Sequence, residues 1–235
     1  LLAINTLGWL KDKESWNLMK KLINHRDTTL SLSVAKALIR INPRKSTWLI
    51  LPLIAERNDW SVDRCAELIK QIGMEEVADK LTLQIYRTPP HLLPKMIRLL
   101  DLLLPSQSNP VVKQLLTKYD DKEIIFACLN VFKDIDDLQT VRKFLTHESW
   151  EIRMQAAICL GKFGLVQDIK HLSNATSDKE WWVRYRSAQA LAKIPTMTIR
   201  KLRNIAKRNA DCFSQDVILR VATEREVAEA CGLSY

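Results

Sequence analysis

The chain has 235 residues, 47% of them hydrophobic and 27% charged, with 36 Lys and Arg against 27 Asp and Glu and a formal net charge of +9. That apolar share excludes a disordered tail and is enough to bury a core. Five glycines and eight prolines are too few for a turn-rich β-sandwich or barrel, and no window offers a glycine-rich phosphate loop.

In chain order, the predicted helices share one apolar anchor: Leu7, Leu38, Ile69, Leu100, Val131, Leu160 and Leu191, spaced by 31, 31, 31, 31, 29 and 31 residues. Three residues before these stand Ile4, Ala35, Ala66, Ile97, Cys128, Ala157 and Ala188. Three residues after stand Leu10, Ile41, Ile72, Leu103, Asp134, Phe163 and Ile194. Asp134 alone is polar, and Ile135 beside it is expected to take its place. An i, i+3, i+6 stripe with small residues at its middle predicts a helix packed closely on other helices. From Leu38 on, each stripe ends at a break: Asn42-Pro43, Gly73, Pro105, Asp136, Gly164 and Pro195. Glycine and proline there are ordinary helix stops.

A second amphipathic stretch follows, as in Val111, Val112, Leu115 and Leu116, in Leu138, Val141 and Leu145, or in Ile199, Leu202, Ile205 and Ala206. Each unit thus reads helix A, turn, helix B. One pair cannot cover its own apolar face, so the units are predicted to stack. The expected fold is an all-α, α-α superhelical solenoid of about seven helix pairs. It forms one domain over 1–235, with a truncated first repeat and an atypical capping unit over 210–235. Leu1-Leu2-Ala3 is not a natural start, and residue 1 falls inside a predicted helix. The chain is therefore expected to be part of a longer protein, with any anchor or catalytic domain upstream of it.

The clearest repeat pair is Ser149–Leu160 against Glu180–Leu191. Both read acid or Ser, Trp, any residue, β-branched, Arg, three residues, Ala, two residues, Leu. This pattern resembles the HEAT-repeat family in its short, bacterial-style form. The resemblance covers residues 1 to about 209 and weakens around Leu100 and Val131, where the Val-Arg and Ala-Ala elements are missing. It implies stacked helix pairs whose B helices line a concave side. It also implies that Arg153 and Arg184 brace an acidic residue near a helix start in the stack.

A search for catalytic chemistry finds none. His25, His91, His147 and His171 lack the i, i+4 spacing that puts two metal ligands on one helical face. The His-Glu pairs of the iron-binding hydroxylase branch of the family are missing, and nothing matches its tetrapyrrole lyases. Glu75-Glu76, Asp120-Asp121 and Asp134/Asp136/Asp137 fall at turns or helix starts, where capping and the helix dipole account for them. No cofactor and no metal are expected. Cys65, Cys128, Cys159, Cys212 and Cys231 form no C-x-x-C pair. They are expected to be reduced thiols, mostly buried, in a cytoplasmic protein. No apolar stretch approaches the roughly 20 residues that span a bilayer.

Trp150 and Trp181 share one repeat position, with Trp60 one residue off it, which favours a wedge in the inter-repeat turn. Trp9 and Trp182 break the period, and Trp182 is taken as a contact candidate. The positive charge is concentrated. Trp181–Ala210 holds eight bases and no acid, while the other 205 residues hold 28 bases and 27 acids. Arg200, Lys201, Asn204, Lys207 and Arg208 form one stripe opposite Ile199, Leu202, Ile205 and Ala206. Arg142, Lys143 and Lys170 with His171 sit at comparable places on earlier B helices, as do Lys113 and Lys118.

The expected function is a non-catalytic interaction scaffold that holds an acidic protein surface or peptide on a partly basic groove, through Arg200, Lys201, Lys207, Arg208, Arg142, Lys143, Lys170 and Trp182. Two alternatives stay open. One is a nucleic-acid module that grips the DNA backbone as HEAT-like DNA glycosylases do. The other is the cytoplasmic adaptor of a membrane-anchored protein.

Overall fold

The computed structural model describes residues 1–233. Ser234 and Tyr235, the end of the expected capping unit, lie outside the described residues. Short polar side chains start six of the helices. Asp27, Asn42, Ser61, Asp121, Thr198 and Asp211 each accept a backbone N–H from the first turn of the helix they precede, satisfying donors that the helix cannot pair itself. Gly73 (φ 109°) and Gly164 (φ 62°) follow the last residues of two helices, and both φ values lie in the region that only glycine enters freely.

The first compact unit is Leu1–Lys118. It contains α1 (Leu2–Trp9), α2 (Trp16–Leu22), α3 (Thr28–Ile41), α4 (Pro43–Glu56), α5 (Val62–Ile72), α6 (Met74–Arg87), α7 (Leu93–Leu103) and α8 (Pro105–Lys118). The second unit runs from Tyr119 onward. It contains α9 (Lys122–Val131), α10 (Leu138–Arg142), α11 (Trp150–Phe163), α12 (Ile169–Ala175), α13 (Trp181–Lys193), α14 (Ile199–Arg208) and α15 (Cys212–Ala230). No strand occurs among the described residues, so the chain is all-α. The odd-numbered helices up to α13 are the predicted A helices, and the even-numbered ones are the B helices.

Within each unit the A helices lie side by side: α1 on α3, α3 on α5 and α5 on α7 in the first, α9 on α11 and α11 on α13 in the second. The B helices form a second layer against them. This is the helix-pair stacking of an α-solenoid. In the second unit α15 packs on α13 and α14, where a further A helix would stand. From Leu38 to Leu191 every anchor is buried. The small residues of the stripe let backbones approach closely: a Cβ placed on Gly161 would lie 2.8 Å from the Ala190 Cβ, and one on Gly8 2.8 Å from the Ala37 Cβ.

Two expectations fail at the edges of the pattern. Leu10 is 72% exposed and Ile135 is 49% exposed. α9 stops at Val131, one turn short of the period, so Asp134 and Ile135 fall in the following loop. Phe132, in extended backbone, turns back and is buried instead of Ile135.

Candidate functional site

α14 begins where the Thr198 hydroxyl oxygen accepts the Lys201 N–H at 3.2 Å. Leu202 and Ala206 are buried and Ile199 and Ile205 half-buried, while Arg200, Lys201, Asn204, Lys207 and Arg208 are exposed. The apolar residues recur at helical spacing, so docking them on α15 forces the basic residues outward. Lys201 Nζ donates to the Thr196 carbonyl at 2.8 Å. Arg200, Lys207 and Arg208 make no ion pair among the described residues. Arg203, at the edge of the stripe, pairs with Glu226 of α15 at 2.7 Å. That acid lies beyond the acid-free span, so the sequence reading missed the pair; periodicity within α14 carries no signal for it.

The other predicted contact residues separate. Lys143 and Lys170 are exposed on successive repeats. Arg142 is not a surface base. Its Nε lies 2.6 Å from Oδ1 of Asp168, which is fully buried, and its side chain is 14% exposed. A buried carboxylate requires a counter-ion, and that demand takes Arg142 out of the exposed set. Trp182 is 50% exposed and joins a different cluster, meeting the Trp181 ring edge-on at 4.8 Å. Trp181 stacks on Tyr185 at 4.9 Å, and the Arg220 guanidinium of α15 lies 5.8 Å from both rings. Trp181 itself is 37% exposed, whereas Trp60 is buried as a wedge should be.

The bracing arginines follow the resemblance at one repeat and depart from it at the next. Arg153 Nε and Nη2 grip the Asp178 carboxylate at 2.6 and 2.8 Å, and Nη1 donates to the His147 and Glu148 carbonyls. Burial raises the Asp178 carboxyl, but the Arg153 hydrogen bonds and charge outweigh it, leaving it below its ordinary value. Arg184 repeats the carbonyl contacts, to Asp178 at 2.8 Å and Lys179 at 3.0 Å. At the position equivalent to Asp178, however, stands Asn209, and Arg184 Nε is buried without a partner. Adding one period of 31 to Asp178 finds this difference in the sequence.

A cleft of about 670 Å³ opens beside the Arg153–Asp178 pair, lined by His147, Glu148, His171 and Lys179 among others. Its charges are of mixed sign, and its two arginines, Arg142 and Arg153, are held by Asp168 and Asp178. Among the described residues, no group of three or more His, Cys, Asp or Glu side chains is placed to hold a metal. No helix among them is long and apolar enough to cross a membrane.

Residues 109–192 match the family of HEAT repeats. No curated protein matches the chain. Among solved structures, the chain is similar to an engineered protein known from a crystal structure, at 15% identity and a TM-score of 0.47, with 91% of this chain and 97% of that one covered.

Proposed function

Residues 109–192 match HEAT repeats, and on that premise we propose that the chain is a non-catalytic interaction scaffold whose α14 stripe holds an acidic surface of a partner protein. Stacked repeats present a long rigid surface at little ordering cost, which suits protein partners. One observation supports the reading most. Arg200, Lys207 and Arg208 stand exposed without ion pairs among the described residues, on a helix whose opposite face is docked. A merely solvated face normally mixes signs, whereas Trp181–Ala210 contains no acid and Glu226 of α15 meets the stripe only at its edge, on Arg203.

The test is charge reversal. Arg200→Glu with Lys207→Glu should leave the helical circular dichroism spectrum unchanged and abolish capture of the cellular protein partner. Titration with a random-sequence DNA duplex at several salt concentrations separates the competing reading. A DNA module making about four to six phosphate contacts gives a log–log salt slope of roughly −4 to −5, and a protein scaffold shows only weak duplex binding. Full partner capture by the reversed variant would reduce the stripe to a solvated face.

A further inference from the structure

The first unit carries a second surface of different chemistry. Trp48 on α4 is 66% exposed and Trp16 on α2 is half-buried. A lysine from the next B helix lies over each ring. Lys45 Nζ of α4 is 5.6 Å from the Trp16 centroid, and Lys80 Nζ of α6 is 5.0 Å from that of Trp48. Trp16, Lys20, Lys45, Trp48 and Leu49 together line a pocket of about 240 Å³. That is below the roughly 300–1,000 Å³ of small-molecule sites and suits a single large side chain.

No carboxylate lines this pocket. α2 and α4 carry Lys20, Lys21, Arg44 and Lys45 against Glu56 alone. Of the cations nearby, Lys80 pairs with Glu76, and Arg44 lies 3.6 Å from the same carboxylate. Lys20 and Lys45 have no ion pair among the described residues. We propose that this pocket is the docking site for an acidic segment of a partner protein, which seats one large apolar side chain between Trp16 and Trp48 and sets its carboxylates on Lys20 and Lys45.

Two features favour this occupant. Tryptophans held in place by neighbouring cations are rigid, amphipathic anchors of the kind that dominate interface energetics. The positive charge is also short-ranged, since α6 follows with Glu75, Glu76 and Asp79. Those acids repel a continuing phosphate chain, which needs an extended basic track beside its stacking rings. A peptide with its carboxylates on Lys20 and Lys45 lies on the α2 and α4 side of the pocket, and Glu76 at the α6 edge is already paired with Lys80. The site lies in the first unit and does not rest on the α14 reading.

The experiment selects a random twelve-residue peptide library on the wild-type protein and depletes it on Trp48→Ala. Trp48 and Lys45 are exposed, and circular dichroism confirms that both variants fold. Selected peptides should combine Asp or Glu with one Trp, Phe or Leu. They should lose at least tenfold in affinity on Trp48→Ala and on Lys45→Glu, and bind unchanged to Arg200→Glu/Lys207→Glu. Peptides without acids, peptides indifferent to Trp48, or no selected peptide at all would overturn the proposal. So would a twelve-nucleotide oligothymidine that binds more tightly than any peptide and is lost on Lys45→Glu.

Discussion

Replacing Asn209 by Asp should stabilise the protein by about 1 kcal/mol at neutral pH, the balance of one hydrogen bond gained and one weakened. The template is the preceding repeat, where Arg153 and Asp178 are 7% and 11% exposed and joined by two short hydrogen bonds. Arg184 repeats the carbonyl contacts one period on, half-buried beneath the Phe213 ring, with its Nε buried and unpaired. Asn209 Oδ1 already accepts the Asp211 N–H at 3.0 Å, as Asp178 Oδ1 accepts the Glu180 N–H at 2.9 Å. The backbone is thus set for an aspartate. Pairing a buried guanidinium N–H relieves about 1–3 kcal/mol. Against this, the Asn209 amide now donates to the Ser214 hydroxyl at 2.6 Å, and that hydroxyl also bonds Thr176. With a carboxylate in place of the amide, the one Ser214 proton must serve either Thr176 or the new acid, at a cost of about 1 kcal/mol.

The pH dependence supplies a second check on the same substitution. The new carboxyl, like Asp178, has a folded pKa below its unfolded value. Its contribution is therefore present above about pH 4 and is lost as the pH falls through the folded pKa. Urea unfolding followed by circular dichroism at pH 7 and pH 3 measures both. A variant no more stable than wild type at pH 7, or a gain that persists undiminished at pH 3, would refute the reasoning.

Three further outcomes follow from the same geometry. Asp178→Asn leaves the Arg153 charge buried without its partner and should cost about 3–5 kcal/mol by urea unfolding. Ala157→Phe or Ala188→Phe forces a large ring into a fully buried contact and should cost on the order of 1–3 kcal/mol in the same assay; wild-type stability in both would mean the core is elsewhere. Thiol labelling at pH 8 should modify Cys212 and Cys231 at once, and Cys65, Cys128 and Cys159 only on unfolding, because burial pushes the Cys128 and Cys159 thiols up to about 12; intact mass before and after reductant should not change.

The period, the helix pairs and their caps were legible in the sequence because they are local. An apolar residue every three or four positions, Asp27 or Asp121 before a helix and Gly164 after one are set within a single turn. Arg153 was legible too, since the resemblance names its role and the repeat supplies its acid. The stripe of Arg200, Lys207 and Arg208 could be placed on α14 because the opposite face is apolar throughout.

Tertiary structure decided which charges stay unpaired. Arg142 looks like Lys143 in the sequence, yet a buried carboxylate 26 residues away claims it. Arg203 is met by Glu226 from α15, 23 residues on. The lysines over Trp16 and Trp48 come from the next helix pair, and Ile135 loses its expected place to Phe132 because α9 ends a turn early. Hydrophobic periodicity reports which face of a helix is buried. Pairing among the polar residues depends on which neighbours the stack brings within hydrogen-bond distance, and that is a property of the packed chain.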